Sequence, residues 1–129
     1  MQYVALIAHD DKKDDMIEFV TANREVLSRE NLVATATTGG RIERFCGLPV
    51  HKMLSGPLGG DLQIGALIAT DNVKAVIFLR DPLTPHPHEP DISALMKVCD
   101  THNIPLATNI ATAGLIIRHI DETSGDSSA

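Results

Sequence analysis

Aromatic residues are nearly missing from this 129-residue chain: three Phe, one Tyr and no Trp. Without them a single-stranded nucleic acid has no stacking platform, and any core has to be aliphatic. Positive charge is also short. The formal net charge of -6 argues against a general polyanion partner, nucleic acid included. It leaves room for one small phosphate held by local donors. The only cysteines are Cys46 and Cys99. Both sit in stretches with helical periodicity and share no metal-type spacing, so buried free thiols are expected rather than a disulfide. No apolar run is long enough to cross a bilayer. Met1-Gln2 leads into a strand pattern without the basic start of a secretory leader. A cytoplasmic protein with no membrane or nucleic-acid partner is the expectation.

What is present is a strongly periodic chain with 43% hydrophobic and 22% charged residues, enough to fold around its own core. Tyr3–Ala8 reads as a buried strand. Residues 12–29 carry Met16, Phe19, Val20, Val26 and Leu27 at helical spacing. Then come a strand at 32–36, a short helix at 41–46 stopped by Gly47, and a weak strand at 50–54. A helix follows at 61–69 with Asp61 as its N-cap, then a central strand at 75–79. Ile92–His102 reads as a helix started by Pro90-Asp91, before a strand at 105–108 and a helix at 111–118. This alternation predicts an α/β fold, a single-domain three-layer sandwich with an about five-stranded parallel sheet and helices on both faces. The domain is expected over residues 1–120, and the polar run over 121–129 as a frayed tail. In such sheets ligands bind beyond the carboxyl ends of the strands. Most of the chemically interesting residues fall in those loops.

Four constellations stand out. Ser55-Gly56-Pro57-Leu58-Gly59-Gly60-Asp61 is a glycine-dense turn ending in a carboxylate at the start of a helix. Glycine lets backbone N–H groups approach an anion closely, and the turn also delivers an acid-base group. A plain helix cap is the competing reading of Asp61. Thr35-Ala36-Thr37-Thr38-Gly39-Gly40 places hydroxyls and amides where a helix begins, which suits phosphate or capping alone; it lacks the GKS or GKT ending of a P-loop. Lys13, one helical turn after His9-Asp10, either supplies a point charge to that phosphate or is simply solvated. The loop from Arg80 to Asp91 is stiffened by four prolines and displays His86, His88 and several carboxylates. A rigid loop lowers the ordering cost of a site; the alternatives are a surface connection, or a metal cluster of His86, His88 and Asp91 with His9-Asp10.

The segments ALIAHDDKK, ATATTGG, LSGPLGGDLQIGALIA, VIFLRDPLTPHPHEPDISAL and IPLATNIATA cover nearly the whole chain, and together they resemble the methylglyoxal synthase family. GPLGGD followed by PHEPD is a specific pair. The resemblance implies conversion of dihydroxyacetone phosphate to methylglyoxal and inorganic phosphate, with no metal or organic cofactor. It makes Asp61 the catalytic base, with His88 and Asp91 handling the substrate oxygens. His9, Asp10, Asp81 and Gly56 match further active-site positions, and Lys13, Thr35, Thr37, Thr38 and Ser55 match phosphate-binding ones. It also implies a homo-oligomer, usually a hexamer, and inorganic phosphate as product and possible inhibitor. Longer members carry a phosphate-contacting arginine in a C-terminal segment, whereas no arginine follows Arg118 here. Arg80, at a strand's carboxyl end, is the first candidate to replace it; Arg118, or Lys13 with backbone amides, are the alternatives. The function rival is a non-catalytic domain of the same fold that senses a phosphorylated metabolite. Such a sensor needs the threonine loop but not Asp61, His88 and Asp91 together. A metal-dependent hydrolase built on the histidine loop is the third reading.

Overall fold

A computed structural model of the chain describes residues 2–83 and 92–127. Five parallel strands form one sheet: β1 (Tyr3–Ala8), β2 (Asn31–Ala34), β3 (His51–Lys52), β4 (Val73–Leu79) and β5 (Leu106–Ala107), in the order β3-β2-β1-β4-β5. The described helices are α1 (Lys13–Ala22), α2 (Arg24–Leu27), α3 (Ala36–Cys46), α4 (Gly60–Ala69), α5 (Ile92–His102) and α6 (Ile110–Ser127). Short 3-10 turns at Asp10–Lys12 and Gly56–Leu58 lead into α1 and α4.

The period of two along β1 explains the layering. Val4, Leu6 and Ala8 join a core with Met16, Phe19 and Val20 of α1, Ile42 of α3, and Ala113, Ile117 and Ile120 of α6. Ala5 and Ile7 face the other way, onto Ile64 and Ile68 of α4 and Leu95 and Cys99 of α5. Both faces are thus dry, and the expected three-layer α/β sandwich is what forms. Since β1 and β4 are covered on both sides, their runs are continuously apolar rather than alternating.

The boundaries differ from the periodicity in instructive places. The helix expected over 12–29 breaks at Asn23, whose side-chain amide donates to the Phe19 carbonyl at 2.8 Å. The short helix expected at 41–46 starts five residues earlier, at Ala36, so Thr37, Thr38, Gly39 and Gly40 belong to its first turns rather than to a loop. β3 is only two residues long. The last helix does not stop at Arg118 but runs through the polar stretch to Ser127. Ile120 is buried there, and Asp121 pairs with Arg29 at 2.8 Å, which carries the helix past its last apolar turn. No described helix is long and apolar enough to cross a membrane.

Candidate active site at the carboxyl ends of the strands

The strand order sets the loops after β3, β2, β1 and β4 side by side along one edge of the sheet. At the end of β1, His9 is buried at 8% exposure and stands edge-on to Phe78, with ring centroids 5.1 Å apart. Its Nδ1 accepts the backbone N–H of Asp81 at 2.9 Å. A neutral imidazole that accepts at Nδ1 carries its proton on Nε2. The loop after β4 therefore fixes the ring's tautomer and joins His9 to Asp81. Lys13 is not solvated: it is 8% exposed, and its Nζ donates to the Ala8 carbonyl at 3.0 Å and to Asp10 Oδ1 at 2.8 Å. Its aliphatic stem lies inside while its charge is held at the strand end.

After β2, the chain enters α3 with Thr35 in extended geometry (φ -68°, ψ 160°) and no side-chain cap. The first helical bond runs from the Gly39 N–H to the Thr35 carbonyl at 2.8 Å. Helix geometry leaves the preceding amides, those of Ala36, Thr37 and Thr38, without intrahelical acceptors. Thr35 and Thr38 are both buried. Thr38 is 1% exposed, and its Oγ1 has no hydrogen-bond partner among the described residues. Buried hydroxyls are ordinarily bonded. A helix N-terminus with spare amides and an orphan hydroxyl has the donors that an anion would need.

The glycine-dense turn follows β3. Leu58 and Gly60 both donate to the Ser55 carbonyl at 3.0 Å, and Gly59 donates to the Gly56 carbonyl at 3.0 Å. Gly59 sits at φ +101°, a left-handed conformation that favours glycine. A Cβ on Gly60 would lie 1.7 Å from the Leu54 carbonyl oxygen, so no side chain fits there. These two glycines fold the strand's end directly onto the start of α4. The helix begins at Gly60 with Gly59 as its N-cap. Asp61 is therefore not the cap expected from sequence. It lies in the first turn, partly exposed, and its carboxylate makes no hydrogen bond among the described residues. A carboxylate not occupied in capping is available to take a proton.

Beyond β4, Arg80 and Asp81 are partly exposed, and Asp81 Oδ1 accepts the Leu83 N–H at 3.0 Å. His88 and Asp91, and His86 with them, lie outside the described residues. Among the described residues no three His, Cys, Asp or Glu side chains are grouped to hold a metal. The structure thus joins His9 to Asp81 and Lys13 to Asp10 directly. It sets Thr35, Thr37, Thr38, Ser55, Gly56, Asp61 and Arg80 at the same end of the sheet. One residue passed unnoticed in the sequence is Gln63, whose Oε1 accepts the Leu54 N–H at 2.8 Å. A glutamine inside an amphipathic helix gives no sign of such a bond.

Comparison with known proteins agrees with this geometry. The model of the MGS-like domain family matches residues 15–108. The methylglyoxal synthase of Carboxydothermus hydrogenoformans is 59% identical over 121 residues, spanning 94% of this chain and 100% of the relative. That of Ralstonia nicotianae is 63% identical over 114 residues, 88% of this chain and 84% of the relative. Among solved structures, methylglyoxal synthase from Elizabethkingia anophelis superposes with a TM-score of 0.87 at 43% identity, covering 90% of this chain and 76% of that one. With so much of its length matched at such identity, the chain belongs to the methylglyoxal synthase family.

Proposed function

We propose that the chain is a carbon–oxygen lyase that converts dihydroxyacetone phosphate to methylglyoxal and inorganic phosphate, with Asp61 as the base. The observation that carries this reading is the buried Thr38 hydroxyl without a partner among the described residues, at a helix start whose amides are unspent. Such a cradle is built for an oxyanion, and a carboxylate free of capping duty stands after the neighbouring strand.

The chemistry follows from that pairing. A proton α to a ketone is too weakly acidic to leave unaided. Asp61 takes it from the carbon bearing the free hydroxyl, and the electron pair moves onto the carbonyl oxygen to give an enediolate. Donors at that oxygen supply the electrostatic term that dominates such steps. His9, with its proton on Nε2, is one such donor, and the family resemblance adds His88 and Asp91. The hydroxyl next gives up its proton and an aldehyde forms. The C–O bond to phosphate breaks, its electron pair leaves with the phosphate, and the hydroxyl proton goes with it as hydrogen phosphate. The resulting enolate takes a proton, the one Asp61 had removed, on its terminal carbon to give methylglyoxal. Elimination requires that C–O bond to lie out of the enediolate plane. Lys13, Thr35, Thr37, Thr38, Ser55 and Gly56, with Asp10 holding Lys13, form the grip that would impose this rotation. Arg80, at the end of β4, would add a further positive charge to that grip. Inorganic phosphate, the product, fits the same grip and would compete for it.

In this reading the unit over residues 1–120 carries the activity, residues 121–129 are appended to it, and the working form is a homo-oligomer, a hexamer by family resemblance. Light scattering on the purified chain measures that mass directly. A cytoplasmic location fits the two buried free cysteines. Burial pushes the Cys99 thiol up to about 11, with the neighbouring Asp100 charge adding to the effect, so it stays protonated and inert. The decisive test is Asp61→Asn. General-base catalysis is worth about 10²–10⁴-fold, so turnover of dihydroxyacetone phosphate should fall by orders of magnitude in a variant that folds normally. Residual activity within about tenfold of the parent would exclude the role.

A further inference from the structure

We infer that Gln63 is a positioning residue for this reaction: its side chain locks the phosphate-gripping turn to the helix that carries Asp61. The inference rests on the function proposed above. β3 is an edge strand. Met53 makes its last ladder bond, donating to the Ala34 carbonyl at 2.8 Å. The next amide, that of Leu54, points away from the sheet, because successive amides of a strand alternate in direction. The Gln63 amide oxygen takes that proton at 2.8 Å. Gln63 holds the turn at its other end as well, donating its backbone N–H to the Gly59 carbonyl at 3.1 Å. One residue of α4 thus ties both ends of the turn that contains Ser55 and Gly56 and leads into Asp61.

The Ser55–Gly60 bond and the tight seat of Gly60 against Leu54 define the inner part of this loop. Where Leu54 leaves the strand, the Gln63 oxygen adds the side-chain tie to α4. Ser55 and Gly56 of the phosphate grip and the base Asp61 all lie between the two ends of that clasp. If it loosens, the phosphate is free to swing toward the enediolate plane, and the intermediate returns to ketone instead of eliminating. Displacements of about 1 Å at a reacting centre cost up to roughly a hundredfold in rate.

Gln63 is exposed, so replacing it does not open a core. Gln63→Met keeps the length and loses the acceptor. Gln63→Glu keeps an acceptor oxygen at the same reach. The experiment is turnover of dihydroxyacetone phosphate in D2O, scoring methylglyoxal formed and deuterium in recovered substrate, with a thermal midpoint for each variant. The Met variant is expected to lose about tenfold in kcat and to return several times more deuterated substrate per product, at an unchanged midpoint. The Glu variant should stay near the parent. A Met variant that matches the parent overturns the inference. So does a slower one with an unchanged deuterium ratio, or a Glu variant that loses as much as Met. If the parent itself forms no methylglyoxal, the functional reading fails and this inference with it.

Discussion

Thr38 carries the clearest single-atom signal in the candidate site. A buried hydroxyl left unbonded is a cost to folding of about 1–3 kcal/mol, and Thr38 Oγ1 is in that state among the described residues. Thr38→Val keeps the shape and removes the oxygen. Its unfolding midpoint should therefore hold or rise, the reverse of what most buried polar deletions do. Its affinity for inorganic phosphate should fall roughly tenfold or more, since a hydrogen bond to a charged group is worth about 1.5–3 kcal/mol. Calorimetric titration with phosphate, beside a melt, reads both. A variant that loses stability and keeps its phosphate affinity would make Thr38 a structural residue. Lys13 makes the same point with charge: its Nζ is held by Ala8 and Asp10 at the strand end, where a solvated lysine would contribute little.

Elements decide how these atoms are presented, and here the sequence was legible in part. The continuous apolar run of β1 and the alternation of strands with helices gave the parallel sheet and its two covered faces. Strand ends therefore located every described candidate residue at one edge. Helix starts were harder. The spacing of Thr, Ala and Gly over 35–40 carries no apolar period, so α3 was expected to begin only at Arg41. Burial of Ile42 in the core beneath the sheet overrides that weak propensity. Asp61 has the residue type of an N-cap, yet Gly59, at positive φ, takes that place. Side-chain ties such as Gln63 to Leu54 depend on tertiary approach and leave no local signature.

One such tie also predicts a pH response. Glu43 of α3 accepts from Lys52 and from the Val50 N–H at 3.1 Å, which fastens the entry of β3 to the helix. The hydrogen bond from Lys52, and then that from Val50, hold its carboxyl below the ordinary 4.5. A lowered native-state value means the contribution is complete above the unfolded-state value and is lost as the pH falls through the native one. Glu43→Gln should therefore melt below the parent at neutral pH, and the two curves should converge on acidification. A gap that persists in acid would assign the effect to shape rather than charge.

For the molecule as a whole, the site exists only when the sheet does. Its described residues come from the ends of four strands and span positions 9–81, so no shorter segment assembles them. Anything that binds the assembled site must stabilise the entire fold by mass action. Inorganic phosphate at about a hundred times its Kd should add about 2.7 kcal/mol, several degrees in the melting midpoint for a domain of this size. The chain's net charge of -6 opposes the approach of a dianion, so the gain has to come from the local cradle and not from the overall field. This separates two explanations of any phosphate effect. If the α3 cradle is the site, Thr38→Val loses most of the shift in the midpoint while its phosphate-free midpoint stays at or above that of the parent. If phosphate acts on the surface at large, parent and variant shift equally, and the cradle loses its claim to the substrate.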